Sequence, residues 1–234
     1  PDGLVTGVQT CALPISASIM RTLRQAGYEA VPIAIDKSGS WLLPADVERA
    51  LKGFFGEGSE PVALLPQPGA EGLTRLDGRT SGLEPITHID VLFPALHGTY
   101  GEDGAIQGLF EMASVPYVGA GVLASAVGMD KDIQTRLFRQ AGLPVLDFML
   151  VPRFRFEREP EAVIDEIEAK IGYPCFVKPC NLGSSVGVNK VKSRGALQSA
   201  LAEAALYDRK VIVEQCAADF YEIECSVLGN DDPI

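Results

Sequence analysis

The sequence predicts two successive domains, an α/β unit followed by an α+β unit, and three observations carry that prediction. The mostly apolar run HIDVLFPAL at 88–96 is followed by a glycine-rich loop, a helical pattern and a short strand, which is the order of a βαβ unit. Beyond Val127 the strands follow one another through a Gly-Ser loop instead of alternating strictly with helices. The chain has 234 residues, 47% of them hydrophobic, which is enough to build two ordinary cores.

Taken in order, Ile19, Met20, Leu23 and Ala26 keep helical spacing from Ser16 and stop at Gly27, after which EAVPIAID reads as a strand. A helix is expected within 42–55. Residues 56–88 are rich in Gly, Pro and polar side chains, with one short strand at 62–65. The run at 88–96 reads as a buried parallel strand that delivers His97 to its carboxyl end, where open α/β sheets place their ligands. Ile106, Leu109, Phe110 and Ala113 mark a helix, and 116–119 return as a strand. Asp130 is expected to cap a helix carrying Ile133, Leu137, Phe138 and Ala141, closed by Gly142 with Pro144 beyond. Strands are then expected at 145–151, 174–179, 188–192, 210–215 and 222–228, with helices at 160–171 and 194–206. The domains so read are 16–126 and 127–234.

Both ends are expected to be non-native. Residues 5–15, VTGVQTCALPI, resemble the in-frame translation of a sequencing-library adapter, so 1–15 are set apart. At the other end the chain stops directly after the alternation of Ile223 to Leu228, a strand that needs a partner, so the reading is of a fragment.

Charge excludes some functions. Against 31 acidic residues stand 20 basic ones, a formal net charge of −11, which argues against nucleic acid or an anionic membrane as partner. No apolar run approaches the roughly 18 residues of a membrane span, and a cytoplasmic location is expected. The five cysteines show no CxxC and no metal spacing with the two histidines, and read as reduced packing residues.

Two stretches carry chemistry. In HGTYGEDGAIQG, 97–108, a histidine and a Glu-Asp pair stand at a helix start, where free N–H groups welcome an anion or are capped by the carboxylates themselves. In FVKPCNLGSSVGV, 176–188, Lys178 on an apolar strand precedes Gly183-Ser184-Ser185-Val186-Gly187: one placed cation, then a flexible run of amides able to grip and cover a triphosphate. It is not a Walker loop, since no Gly-Lys-Ser/Thr opens a helix. Lys131, in the first turn after Met129-Asp130, is a second cation.

These motifs, with VPYVGAGVLASAVGMDK between them and EIECSVLGNDDP after, resemble in order and spacing the D-alanine–D-alanine ligases of the ATP-grasp superfamily. The resemblance runs from Ser16 to the last residue. It implies a Rossmann-like pre-ATP-grasp domain followed by an incomplete ATP-grasp domain. It also implies ATP-dependent joining of two D-alanine molecules through an acyl phosphate, for peptidoglycan precursors. Lys131 and Lys178 match the lysines that hold ATP phosphates. Ser184, Ser185 and Val186 match the flap over the γ-phosphate, with Ser184 in the catalytic set. His97 and Glu102 match positions near the first D-alanine, and Glu214 and Glu222 match adenine and ribose contacts. CAADFYE departs from the pattern by one extra residue and by a tyrosine where arginine is common. Cys180 and Asn181 receive no role. Mg²⁺ or Mn²⁺ is implied, with ligands expected beyond Ile234, as is a homodimer of the complete protein. Two rivals stand beside this reading: a D-alanine–D-lactate ligase, and, for this fragment, a nucleotide-binding piece without catalysis.

Overall fold

The computed structural model describes residues 9–36, 38–50, 52, 58–69, 72–76 and 85–234. Residues 1–8 lie outside these, and the rest of the adapter-like stretch, Gln9 to Ile15, belongs to the first helix, α1 (Gln9–Gln25). The chain leaves it through Gly27 in a left-handed turn. A five-stranded antiparallel sheet follows in the order β1 (Ala34–Ile35), β2 (Trp41–Leu43), β3 (Glu60–Leu64), β4 (Leu73–Arg75) and β5 (Pro85–Thr87). Its buried side chains include Val62, Leu64 and Leu73.

Four expectations in this half need correction. Where one short strand was expected over 56–88, three form, β3, β4 and β5. The strand expected over 29–36 is paired only at Ala34–Ile35, because Pro32 has no N–H to give a ladder. Within 42–55, β2 comes first, and the helix is the single turn α2 (Val47–Ala50), capped where Asp46 Oδ1 accepts from Arg49 N at 3.0 Å. Pro44 separates the two, and 51 and 53–57 lie outside the described residues. The parallel strand expected over 88–96 pairs at one bridge only, Leu92 with Tyr117, where Leu92 N donates to Pro116 O and Val118 N to Leu92 O, both at 2.8 Å. A strand buried on both faces needs neighbours on both sides. Here Val91 and Phe93 are about half exposed, at 52% and 46%. The βαβ order nonetheless holds, because α3 (Ala105–Ala113) lies between the two bridge residues and packs Phe110 and Ala113 against Leu64 and Leu92.

Two further helices, α4 (Val122–Met129) and α5 (Lys131–Gln140), join the halves; α4 was not expected. Asp130 caps α5 as expected, its Oδ1 accepting from Ile133 N at 3.2 Å, and the helix closes at Gly142. The second sheet is antiparallel, ordered β6 (Phe148–Pro152), β9 (Lys210–Gln215), β7 (Cys175–Pro179), β8 (Asn189–Val191). Between β6 and β7 run α6 (Arg153–Arg158), which was not expected, and α7 (Pro160–Lys170); α8 (Arg194–Tyr207) precedes β9. Alternation along the strands sorts the two faces. Val151, Cys175, Val177, Val191, Val211 and Val213 meet Val163, Ile164 and Ile167 of α7 and Leu197 and Leu201 of α8 in one core. Each such fully buried Leu or Ile contributes roughly 1.5–3 kcal/mol. The other face carries Phe176, Lys178 and Glu214. The strand expected over 222–228 does not form. Residues 218–234 are exposed, and their described pairing is between Leu228 and Ile234 across a turn, so the alternation has no ladder to join.

Candidate functional site

The antiparallel register of β7 and β9 sets Phe176 opposite Glu214 and Lys178 opposite Ile212, so Lys178 and Glu214 are diagonal neighbours on one face. Their side chains close the gap, Lys178 Nζ donating to Glu214 Oε2 at 2.5 Å, and the ammonium also stands 5.5 Å from the centroid of Phe176. Lys131 enters from α5. Its Nζ donates to Leu182 O at 2.5 Å and lies 3.5 Å from Cys180 O, and its backbone N also donates to Cys180 O, at 3.1 Å. Burial lowers the Lys131 pKa from the ordinary lysine value, and the Lys178 charge acts the same way, against the acidic groups Glu214 and Asp208. Two lysines from different elements therefore share one electrostatic neighbourhood with Glu214.

The Gly-Ser loop joins β7 to β8, and Lys131 reaches its root at Leu182. Ser184 and Ser185 both sit in left-handed backbone at φ 51° and 57°, and both are exposed. Val186 N donates to Gly183 O and Val188 N to Ser185 O, which curl the loop into successive turns. Its root is fixed by residues to which the sequence assigned no role. Cys180 N donates to Lys210 O at 3.0 Å, and Asn181 reaches Asp208 Oδ2 through its backbone N at 2.8 Å and its Nδ2 at 3.0 Å. Cys180 is fully buried, and burial pushes its thiol up to about 12, which fits a packing role.

The second motif faces this loop. Glu102 Oε2 accepts from Gly98 N at 2.6 Å while Oε1 stands 3.8 Å from His97 Nδ1. Asp103 accepts from Tyr100 N and Ala105 N, so the carboxylate pair organises its own loop, as a capped turn would. Buried Gln107 supports it from α3, its Nε2 donating to Gly101 O at 3.0 Å. The two loops meet: a β-carbon at Gly183 would stand 3.9 Å from Gly98 Cα and 4.0 Å from Glu102 Oε2. Of the residues singled out from sequence, His97, Glu102, Lys131, Lys178 and Glu214 are thus gathered around the flap that bears Ser184, Ser185 and Val186. Glu222 is not gathered with them, and lies in the exposed segment after β9.

A second ion pair lies beside Lys131. Lys210 Nζ reaches Asp130 Oδ2 at 2.7 Å and Oδ1 at 2.9 Å, and Asp132 Oδ2 at 3.4 Å. Burial works to raise Asp130, but the Lys210 ammonium and the Ile133 amide outweigh it and hold the carboxyl below its ordinary 3.8. Burial works to lower Lys210, but Asp130 and Asp132 carry it above its ordinary 10.5. The contribution of Asp130 is present above 3.8 and lost as pH falls through its folded value. That of Lys210 is present below 10.5 and lost as pH rises through its own. The pair is therefore expected to stabilise the fold between about pH 4 and pH 10. Thermal unfolding of Asp130→Asn beside the parent checks this, with the stability gap narrowing as pH drops below about 4.

An antiparallel sheet backed by two helices, carrying a paired lysine on its open face and a Gly-Ser loop between the lysine's strand and the next, marks an ATP-grasp protein. The D-ala D-ala ligase N-terminus family matches residues 13–120 and the D-ala D-ala ligase C-terminus family matches 137–234. The chain belongs to the D-alanine–D-alanine ligase family. It is 46% identical over 229 residues to the D-alanine–D-alanine ligase of Heliobacterium modesticaldum, an alignment that takes in 98% of this chain and 62% of that protein. Among solved structures it resembles the VanG D-Ala:D-Ser ligase from Enterococcus faecalis, with a TM-score of 0.83 at 34% identity over 95% of this chain and 62% of that one. It also resembles the D-alanine–D-alanine ligase from Coxiella burnetii, with a TM-score of 0.74 at 33% identity over 95% and 64%. The chain therefore spans about three fifths of the length of the relatives it matches.

Proposed function

We propose that the whole protein joins two D-alanine molecules at the expense of ATP, making the dipeptide used in peptidoglycan precursors. A carboxylate is a poor electrophile. Its oxygen takes the γ-phosphoryl group, ADP leaves, and the acyl phosphate is attacked at carbon by the amine of the second amino acid, which loses a proton as phosphate departs. Lys131 and Lys178 hold the ATP phosphates, Ser184, Ser185 and Val186 cover the γ-phosphate, and Glu214 meets the adenine side. His97 and Glu102 orient the first D-alanine, whose ammonium suits a carboxylate held in a tight loop. Glu222 keeps its proposed ribose contact. Mg²⁺ or Mn²⁺ supplies charge neutralisation in such chemistry. Among the described residues no group of three or more His, Cys, Asp or Glu could hold a metal ion, and none is assigned as its ligand.

The observation that carries this reading is the approach of Gly183 to Gly98 and Glu102, which turns the two motifs toward one space. D-alanine is favoured as second substrate because the curated relatives at 40–46% identity are D-alanine–D-alanine ligases. D-serine, the substrate of the Enterococcus relative, and D-lactate are the competitors to test. The proposal includes cytoplasmic action, a homodimer, and no nucleic-acid or membrane partner; among the described residues no helix is long and apolar enough to cross a membrane. The domain division near Val127 is proposed with it.

With ATP, Mg²⁺ and D-alanine, the whole protein should release phosphate in step with dipeptide identified by mass, and D-serine or D-lactate should compete poorly. Phosphate release indifferent to D-alanine would refute the reading. Backbone amides of 183–187 should exchange more slowly once ATP is bound, as a lid over phosphate requires. Equal exchange in both states counts against a lid.

A further inference from the structure

Lys210 grips the residues on both sides of Lys131. Its ammonium lies 2.7 and 2.9 Å from the two oxygens of Asp130 and 3.4 Å from Asp132 Oδ2. The other oxygen of Asp132 accepts from Arg136 Nε at 2.7 Å. Asp132 is buried, and the side chains of Lys210 and Asp130 are 18% and 16% exposed, so the cluster is largely shielded from water. Asp130 is the N-cap of α5 and Asp132 lies in its first turn, so the two flank Lys131 at the helix start. One cation holding positions 130 and 132 therefore fixes the direction left to 131, whose ammonium reaches the flap root at Leu182 O and Cys180 O. The same residue works on the root through its backbone, since Lys210 O accepts from Cys180 N. Asp208, two residues earlier, holds Asn181.

Desolvation offsets part of the attraction in a mostly buried ion pair, so stability alone does not account for it. Geometry is the better account of this one. We infer that Lys210 is a positioning residue for ATP: through Asp130 and Asp132 it aims Lys131, and through its carbonyl it sets the root of the flap. This rests on the proposed role of Lys131 as a phosphate-holding cation.

The test is a double-mutant cycle in the whole protein, read as ATP dissociation constant by calorimetry and as KM for ATP against KM for D-alanine. Lys210→Met should weaken ATP about tenfold, a coupling within the range of contacting residues. The KM for D-alanine should stay within about twofold, and Lys210→Arg should restore most of the ATP affinity. In a Lys131→Ala background, Lys210→Met should cost almost nothing further, because there is no ammonium left to aim. Additive losses, or unchanged ATP affinity in Lys210→Met, overturn the inference. If Lys210→Met folds poorly because two carboxylates lose their partner, Asp130→Asn with Lys210→Met removes one stranded charge while Asn keeps the helix cap, and it must show the same pattern. Should Lys131→Ala itself leave ATP affinity unchanged, the phosphate role of Lys131 fails; loss there with none in Lys210→Met defeats the positioning role alone.

Discussion

Replacing Lys178 by alanine is expected to raise the ATP dissociation constant of the whole protein about 100-fold while the fold stays intact. Two effects add. The site loses an ammonium from the open face of the sheet, and Glu214, whose side chain is only 17% exposed, loses the partner that Lys178 provides at 2.5 Å. The unpaired carboxylate then adds net negative charge to a site proposed to hold a polyanion, so attraction is exchanged for repulsion. Truncating one member of a shielded charge pair commonly costs 2–5 kcal/mol in binding, and 100-fold corresponds to about 2.7 kcal/mol. The double variant Lys178→Ala/Glu214→Gln separates the effects: it removes the stranded anion and should recover about tenfold of the loss. The fold should tolerate both changes, because Lys178 lies on the sheet face opposite the α7 and α8 core. Calorimetry with ATP and a urea titration on the same samples check the two halves of the claim. Parent-like ATP affinity in Lys178→Ala would remove this lysine from the phosphate site.

Much of the geometry around the proposed ATP site was legible because it rests on local patterns that tertiary context reinforces. Alternation in FVKP and KVIVEQ places Lys178 and Glu214 on the face away from the valines, and the observed register joins them. Asp130 was readable as a cap because its signal lies within three residues of its target. The Lys210 cluster was not readable, since 80 residues separate Lys210 from Asp130 and nothing in a lone lysine at a strand start announces its partner. Asn181 was hidden the same way behind Asp208. Elsewhere local pattern announced nothing of the element that forms. RFRFER alternates with period two, as a strand would, yet forms α6, where Phe156 is buried and Phe154 is 63% exposed. VLASAVGM has small and apolar residues on all sides, so no helical stripe marked α4. In the first half, the parallel strand at 88–96 was inferred from apolarity alone, which specifies burial but not which segment pairs alongside.

Gly104→Ala should destabilise the protein by roughly 2–5 kcal/mol and raise the KM for D-alanine about tenfold, with a smaller effect on ATP. Gly104 joins the His97 to Asp103 loop to α3 with φ at 92°, in the left-handed region. That backbone alone costs about 1–2 kcal/mol for an L side chain. A β-carbon there would also stand 2.8 Å from Val122 O and 3.5 Å from Ala126 Cβ. The obstructing atom is backbone, at the start of α4, and cannot rotate away. Either α4 shifts or the loop does, and overpacking of this kind adds about 1–3 kcal/mol. A shift of the loop would carry Glu102 with it, because Glu102 is tied to Gly98 at 2.6 Å and precedes Gly104 by two residues. The control lies in the same loop. Gly98 has φ at 75°, but a β-carbon there meets nothing within 4 Å, so Gly98→Ala should cost only the backbone term of about 1–2 kcal/mol. Urea unfolding of the two variants beside the parent isolates the close approach as their difference. Equal losses would show that Gly104 is needed for its backbone conformation alone, and that α4 does not hold the D-alanine loop in place.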